Sequence, residues 1–172
     1  MGTEIERKYL LASDGWRTHV SRSQRMEQGY LVDAAAFEAG LASCSVRVRI
    51  AGKDARLNVK SARLGIIRDE YEYPLPSGDA RAMLESLCRG RVVKTRHYVE
   101  VEGWMFEVDE FHGDNEGLVL AEIELPAADA VHPRPSWLGR EVSELPRYYN
   151  VHLIARPFAQ WTAAERAGEG ES

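Results

Sequence analysis

In seven stretches of this chain, apolar and charged residues alternate one for one. Residues i, i+2 and i+4 of an extended strand share a face, so each stretch carries an apolar face and a charged one. Glu4-Ile5-Glu6-Arg7-Lys8 opens the series, with Ile5 and Tyr9 flanking Glu6 and Lys8. Val46, Val48 and Ile50 interleave with Arg47 and Arg49, and Leu57 and Val59 flank Asn58, with Lys60 next on its face. Tyr71 and Tyr73 alternate with Glu70 and Glu72, and Thr95 and His97 with Lys94 and Arg96. Phe106 and Val108 alternate with Glu107 and Asp109, and Ile123 and Leu125 with Glu122 and Glu124. The β-branched and aromatic partners strengthen the strand reading.

Turn chemistry divides these stretches at Ala51-Gly52-Lys53-Asp54, Pro74-Leu75-Pro76-Ser77-Gly78, Glu102-Gly103 and Gly113-Asp114-Asn115-Glu116-Gly117. Gln28-Gly29-Tyr30-Leu31-Val32 adds a further strand. About eight mostly antiparallel strands are enough to close a barrel. Helical signals are fewer. Ser77 is placed to cap a helix over Asp79–Arg89, with Met83, Leu84, Leu87 and Cys88 as its apolar stripe and Gly90 as its stop. A short helix is expected over Asp14–Arg25, and Pro133 and Pro135 interrupt any helix over 127–139. Residues 146–164 are expected to be helical in two pieces divided at Pro157, with Tyr148, Leu153, Ile154 and Trp161 packing on the sheet.

The 172 residues fit one domain over 1–172, with 168–172 as a frayed tail. A composition 44% hydrophobic and 28% charged is globular and argues against disorder. No apolar run is long enough to span a bilayer, and the N-terminus lacks a basic-then-apolar signal segment, so a cytoplasmic location without a membrane partner is expected. Cys44 and Cys88 make no metal spacing and read as reduced thiols. The net charge of −5 argues against a nucleic acid duplex as partner, but leaves room for a local basic site.

Any single pair, such as Glu70 and Glu72, is by itself an ordinary solvated face. The set is different. Its polar faces are almost purely charged and sorted by strand, with Arg47, Arg49, Lys60, Lys94 and Arg96 on middle strands and acids on the first and late ones. Helices are available to cover the apolar faces, which turns the charges inward. The fold class is therefore α+β: an eight-stranded antiparallel β-barrel, a tunnel with a charged interior and an apolar exterior partly covered by helices. Two cations about 6 Å apart repel by roughly 2–3 kcal/mol at an effective dielectric near 20. Interior acids offset part of that cost, and a bound polyanion with metal offsets the rest. Grouped carboxylates without histidine or thiolate favour Mg²⁺ or Mn²⁺, while arginine and lysine favour phosphate oxygens. Neither a phosphate-cradling glycine loop nor a serine–histidine–acid arrangement is present in the sequence.

These residues carry a resemblance. Glu4-x-Glu6-x-Lys8 is similar to the signature of the CYTH superfamily, the triphosphate tunnel metalloenzymes. Gln28-Gly29-Tyr30-Leu31, Val46-Arg47-Val48-Arg49, Lys60, Arg68-x-Glu70-x-Glu72 and Lys94-x-Arg96-x-Tyr98 follow in family order. So do Glu107-Val108-Asp109-x-Phe111, Gly117-Leu118, Ala121-Glu122-Ile123-Glu124 and Arg147-Tyr148-Tyr149-Asn150. The resemblance implies a tunnel open at both ends, a triphosphate-containing small-molecule substrate, and Mg²⁺ or Mn²⁺. It implies metal on Glu4, Glu6, Glu122 and Glu124, assisted by Asp109 and Glu72. It implies phosphates on Lys8, Arg47, Arg49, Lys60, Lys94 and Arg96, and a catalytic set of Glu4, Glu6, Lys8 and Glu124. Asn58 departs from the threonine common at that position.

The leading expectation is metal-dependent hydrolysis of inorganic triphosphate to diphosphate and phosphate. Adenylate cyclase or thiamine triphosphatase would use the same tunnel, and Tyr30 or Trp104 could stack a base. A non-catalytic polyphosphate or nucleotide triphosphate binder is the third reading, which the acids argue against. An outer apolar strand face could support a homodimer.

Overall fold

The computed structural model describes residues 2–32, 35–36, 39–61 and 65–169. Nine strands follow the chain: β1 (Gly2–Leu11), β2 (Val20–Val32), β3 (Cys44–Ala51), β4 (Asp54–Ser61), β5 (Ile67–Pro74), β6 (Arg91–Val101), β7 (Trp104–His112), β8 (Val119–Glu124) and β9 (Leu138–Glu141). The described residues include the α-helices α1 (Ser77–Ser86), α2 (Asn150–Ala155) and α3 (Ala163–Arg166), and 35–36 are also helical. The sheet runs β5-β4-β3-β2-β6-β7-β8-β1 and closes through β1–β5, giving the eight-stranded antiparallel barrel that the alternation predicts. β9 adds to the second half of β1, where β5 has ended.

The register carries the charged faces into line. Glu6 stands opposite Glu124, Lys8 opposite Glu122, and Glu122 opposite Glu107. Their neighbours Tyr9, Phe106, Val108, Ala121 and Ile123 form the outer core with Trp16 and Trp137. A second outer cluster seats α1 through Ala80 and Leu84 on Val48 and Ala55. Gly29 makes that seat possible, because a Cβ there would stand 2.8 Å from Cys88 Cβ and 3.0 Å from Leu84 Cδ2.

Several local expectations are corrected. Only Asp14–His19 turns, as a 3₁₀ helix, while Val20–Arg25 joins β2. Pairing with β6 over Val20–Gly29 overrides the local helical signal. The predicted helix over Asp79–Arg89 is α1, shifted toward Ser77, and Ser77 does not cap it. Its hydroxyl donates instead to the Lys53 carbonyl at 3.1 Å. Leu87 lies past the helix and is 60% exposed. Cys44 and Cys88 are free thiols. At the chain's end, Gly168 and Glu169 present their carbonyls to Arg140 and Arg147, and 170–172 lie outside the described residues. No helix among the described residues is long and apolar enough to cross a membrane.

The tunnel is not open at both ends as the resemblance implies. Val92, Phe111 and Leu120 share the inward face with Lys94, Asp109 and Glu122, and they pack with Tyr148, Leu153 and Trp161. The C-terminal segment thus fills one end of the barrel with an apolar cluster, divided at Pro157 as expected.

Candidate active site

A cavity of about 450 Å³ occupies the barrel. Seven cationic and seven acidic side chains line it, drawn from β1 and β3 to β8. The strand period explains the set: each inward residue lies two from the next, so β1 supplies Glu4, Glu6 and Lys8, and β5 supplies Arg68, Glu70 and Glu72. Tyr149, Asn150 and Val151 close it from the C-terminal side, and Tyr149 is fixed by donating its hydroxyl to the Ser143 carbonyl at 2.7 Å.

On β1, Lys8 Nζ donates to Glu6 Oε1 at 2.5 Å and also to Glu122. Burial disfavours the Lys8 ammonium, but Glu122 and Glu6 hold its pKa above the ordinary lysine value. Burial and Glu122 push Glu6 up, yet Lys8, Lys60 and Arg68 together hold it below the ordinary carboxylate value. Glu122 is likewise held well below that value, against burial, by Lys8, Lys94 and Arg96. Glu4 goes the other way. Burial raises it and repulsion from Glu6 and Glu70 adds to the rise, which Lys60 offsets only in part although its Nζ donates to Glu4 at 2.6 Å. Glu124 is exposed on the rim.

The β3–β5 wall is less tightly paired. Arg47 reaches Glu70 only at 4.0 Å, and its buried Nε has no hydrogen-bond partner; the buried Nε of Arg68 has none either. Glu72 accepts from Arg49 at 2.9 Å and Arg56 at 2.8 Å. Asn58, fully buried, donates to Glu70 and Glu72 at 2.7 Å each, so the residue that departs from the family threonine anchors two acids.

Of the expected site residues, ten line the cavity and two do not. Lys94 and Asp109 lie deeper on the same inward face, between the cavity and the apolar cluster, as a buried ion pair with Phe111 5.5 Å from the ammonium. Burial, then Arg96, lowers the Lys94 pKa. Arg96 lines the cavity but is already engaged: its Nε and Nη2 donate to Asp109 at 2.8 and 2.7 Å, Nη2 to Glu122 at 2.6 Å, and Nη1 to Glu107. Sequence reasoning left Arg56, Arg68, Glu70 and Glu107 out of the site; all four lie two or four positions from residues it chose, on the same strand face.

Among the described residues no three Asp, Glu, His or Cys side chains converge as metal ligands, because the cavity carboxylates are spread over four strands and most are turned to lysine or arginine. The donor chemistry still fits a hard divalent cation. Every candidate is a carboxylate oxygen, and the mutual repulsion of Glu4, Glu6 and Glu70 is what such a cation relieves.

The CYTH domain family model matches residues 2–156. The chain belongs to the CYTH domain family. This CYTH chain is 43% identical over 159 residues to an inorganic triphosphatase of Acetivibrio thermocellus, covering 92% of this chain and 97% of the relative. It is 34% identical to an inorganic triphosphatase of Nitrosomonas europaea over 88% of this chain and 96% of that one. A crystal structure of an inorganic triphosphatase superposes with a TM-score of 0.61 at 32% identity, covering 90% and 95% of the two chains. A putative adenylate cyclase of Bacillus halodurans, at 18% identity and a TM-score of 0.57 over 75% and 84%, shares the CYTH fold.

Proposed function

We propose that this protein hydrolyses inorganic triphosphate to diphosphate and phosphate with Mg²⁺ or Mn²⁺. The observation that carries this reading is the balanced lining of seven cations and seven acids in one cavity. A cavity without net charge gains little from a bare polyanion, since each arginine–phosphate contact is opposed by a nearby carboxylate. Paired with a divalent cation, the same polyanion satisfies both sets of groups. The identity to inorganic triphosphatases over nearly the whole chain supports the same substrate.

Glu4, Glu6, Glu122 and Glu124 are the residues that would hold the metal, with Glu72 at the edge of the group. Bound there, a divalent cation would neutralise phosphate charge and polarise the attacking water. Arg47, Arg49, Lys60 and Arg68 bind phosphate oxygens; Arg47 and Arg68 have unfilled donors for it. Lys8 stands between Glu6 and Glu122, where it orients both and reaches the phosphate beside them. Water adds to the terminal phosphorus, the P–O anhydride bond breaks, the diphosphate oxygen leaves with the electron pair, and the water's proton is released to solvent. Lys94 and Asp109 act from beneath the cavity by fixing Arg96 rather than by touching substrate.

The test is a product panel. Purified protein is given triphosphate, ATP and thiamine triphosphate with each metal. The expected products are diphosphate and phosphate from triphosphate. Cyclic AMP from ATP would replace the hydrolase reading with the cyclase, and binding without turnover would replace it with the binder. Glu6→Gln is expected to lose metal-dependent turnover; unchanged activity would remove the metal role from Glu6. A cytoplasmic location belongs to the same proposal, as does a homodimer, for which the exposed Ile67, Tyr71 and Tyr73 on the outer face of β5 are the support and sedimentation the test.

A further inference from the structure

A second cavity of about 170 Å³ lies beside the first, at the end of the barrel that carries the β3–β4 turn, with Gln24, Asp54 and Tyr98 among its lining. Arg49, Arg56, Arg96 and Glu107 line both cavities, so these four side chains are the wall between them. Two acids hold the wall together. Glu72 accepts from Arg49 and Arg56, and Glu107 accepts from Arg96. Glu72 has two guanidinium partners and the Asn58 amide. Glu107 has Arg96 alone among these, and Arg96 is also held by Asp109 and Glu122. The Glu107 side chain is 32% exposed and borders both spaces.

We propose that this wall limits the length of polyphosphate that the barrel accepts, with Glu107 as the specificity-determining residue that keeps the side cavity shut. The proposal rests on the triphosphatase reading. The chemistry of the side cavity suits one more phosphate: three guanidinium groups and the Gln24 amide face it against two carboxylates, Asp54 and Glu107. Glu107 opposes that occupant in two ways. Its carboxylate repels an incoming phosphate, and it ties up Arg96 Nη1, the donor that would bind it. A chain of three phosphates stays within the larger cavity and does not meet this barrier. A longer chain extends toward the β3–β4 end and meets the wall, because the apolar C-terminal cluster fills the other end.

The experiment compares tripolyphosphate with tetrapolyphosphate in the wild type, Glu107→Gln and Glu107→Ala. Glu110→Gln, on the outward face of the same strand against Arg17 and His97, is the control. The kcat/KM ratio of tetra- to tripolyphosphate is expected to rise at least tenfold in both Glu107 variants and to stay at the wild-type value in Glu110→Gln. An unchanged ratio in Glu107 variants that still cleave tripolyphosphate would overturn the wall. So would a variant that needs more Mg²⁺ or Mn²⁺ for half-maximal turnover at an unchanged ratio, since Glu107 would then belong to the metal site. If the wild type cleaves neither chain, the triphosphatase reading fails by itself. Equilibrium binding of the two chains in Mg²⁺ then reads the same ratio, and equal ratios in wild type and Glu107→Gln would overturn the wall separately.

Discussion

The two sides of this barrel use the same residue types to opposite ends. On the β6–β8 side, Lys94 and Asp109 are 2% and 0% exposed, and Arg96 spends its guanidinium on three acids. On the β3–β5 side, Arg49 and Glu72 are 22% and 30% exposed, and Arg47 reaches its nearest acid only at 4.0 Å. The Lys94–Asp109–Arg96 cluster is dry and internally satisfied; the Arg49–Glu72 pair is wetter, and Arg47 keeps a donor in reserve. A desolvated ion pair gives a rigid surface, because removing one partner leaves the other buried without compensation. A loosely paired arginine gives a surface that exchanges a protein carboxylate for a phosphate at little cost. The difference separates charges that build the barrel from charges that bind in it.

The largest expected effect is on the dry cluster. Asp109→Ala leaves Lys94 and Arg96 buried without their shared acid and should lower unfolding free energy by about 3–5 kcal/mol. Denaturant unfolding checks this, and a loss near zero would break the contrast between the two sides. Gly29→Ala probes the outer face instead. Its Cβ would meet Cys88 and Leu84 at 3.0 Å or less, an overpacking worth about 1–3 kcal/mol, with the cavity left in place. Arg47→Ala should cost less stability than Asp109→Ala, because Arg47 meets its acid only at 4.0 Å. It should raise the KM for triphosphate roughly tenfold, a difference of about 1.4 kcal/mol. A large stability loss with an unchanged KM would move Arg47 to the structural side.

The smallest effect belongs to an exposed pair outside the barrel. Hydrogen bonds from Arg156 and the Thr162 backbone pull the Glu165 pKa down from 4.5 to about 2. A carboxylate depressed on folding stabilises above its unfolded pKa, and that contribution is lost as pH falls through the folded value. The small thermal-midpoint difference between wild type and Arg156→Gln is therefore expected at neutral pH and should shrink between about pH 4.5 and 2. A difference that grows with acid would contradict the pairing.

Much of the site was legible because strand period is a local property. Glu4, Glu6 and Lys8 must share a face wherever β1 goes, and so must Arg47 and Arg49. Arg56, Arg68 and Glu107 obey the same period, so they were legible in principle and passed over. The misread segments were those whose local signal competes with distant pairing. Val20–Arg25 carries a short-helix pattern beside Asp14–His19, yet its backbone is taken by β6 over seventy residues away in the chain. β9 is only four residues long, too short to declare itself.

By itself the sequence determined which side chains face together, strand by strand, and that one face of each strand is charged. Only the tertiary structure decided how deep each charge lies and which charge it meets. Lys94 and Arg47 look alike in their strands, but one is sealed against Asp109 below Phe111 and the other lines the cavity with an unfilled donor. Depth and partner depend on how eight strands close and on the apolar C-terminal segment that fills one end. Desolvation and Coulomb energies follow those distances and not residue type, so the division between structural and binding charges exists only once the barrel has closed.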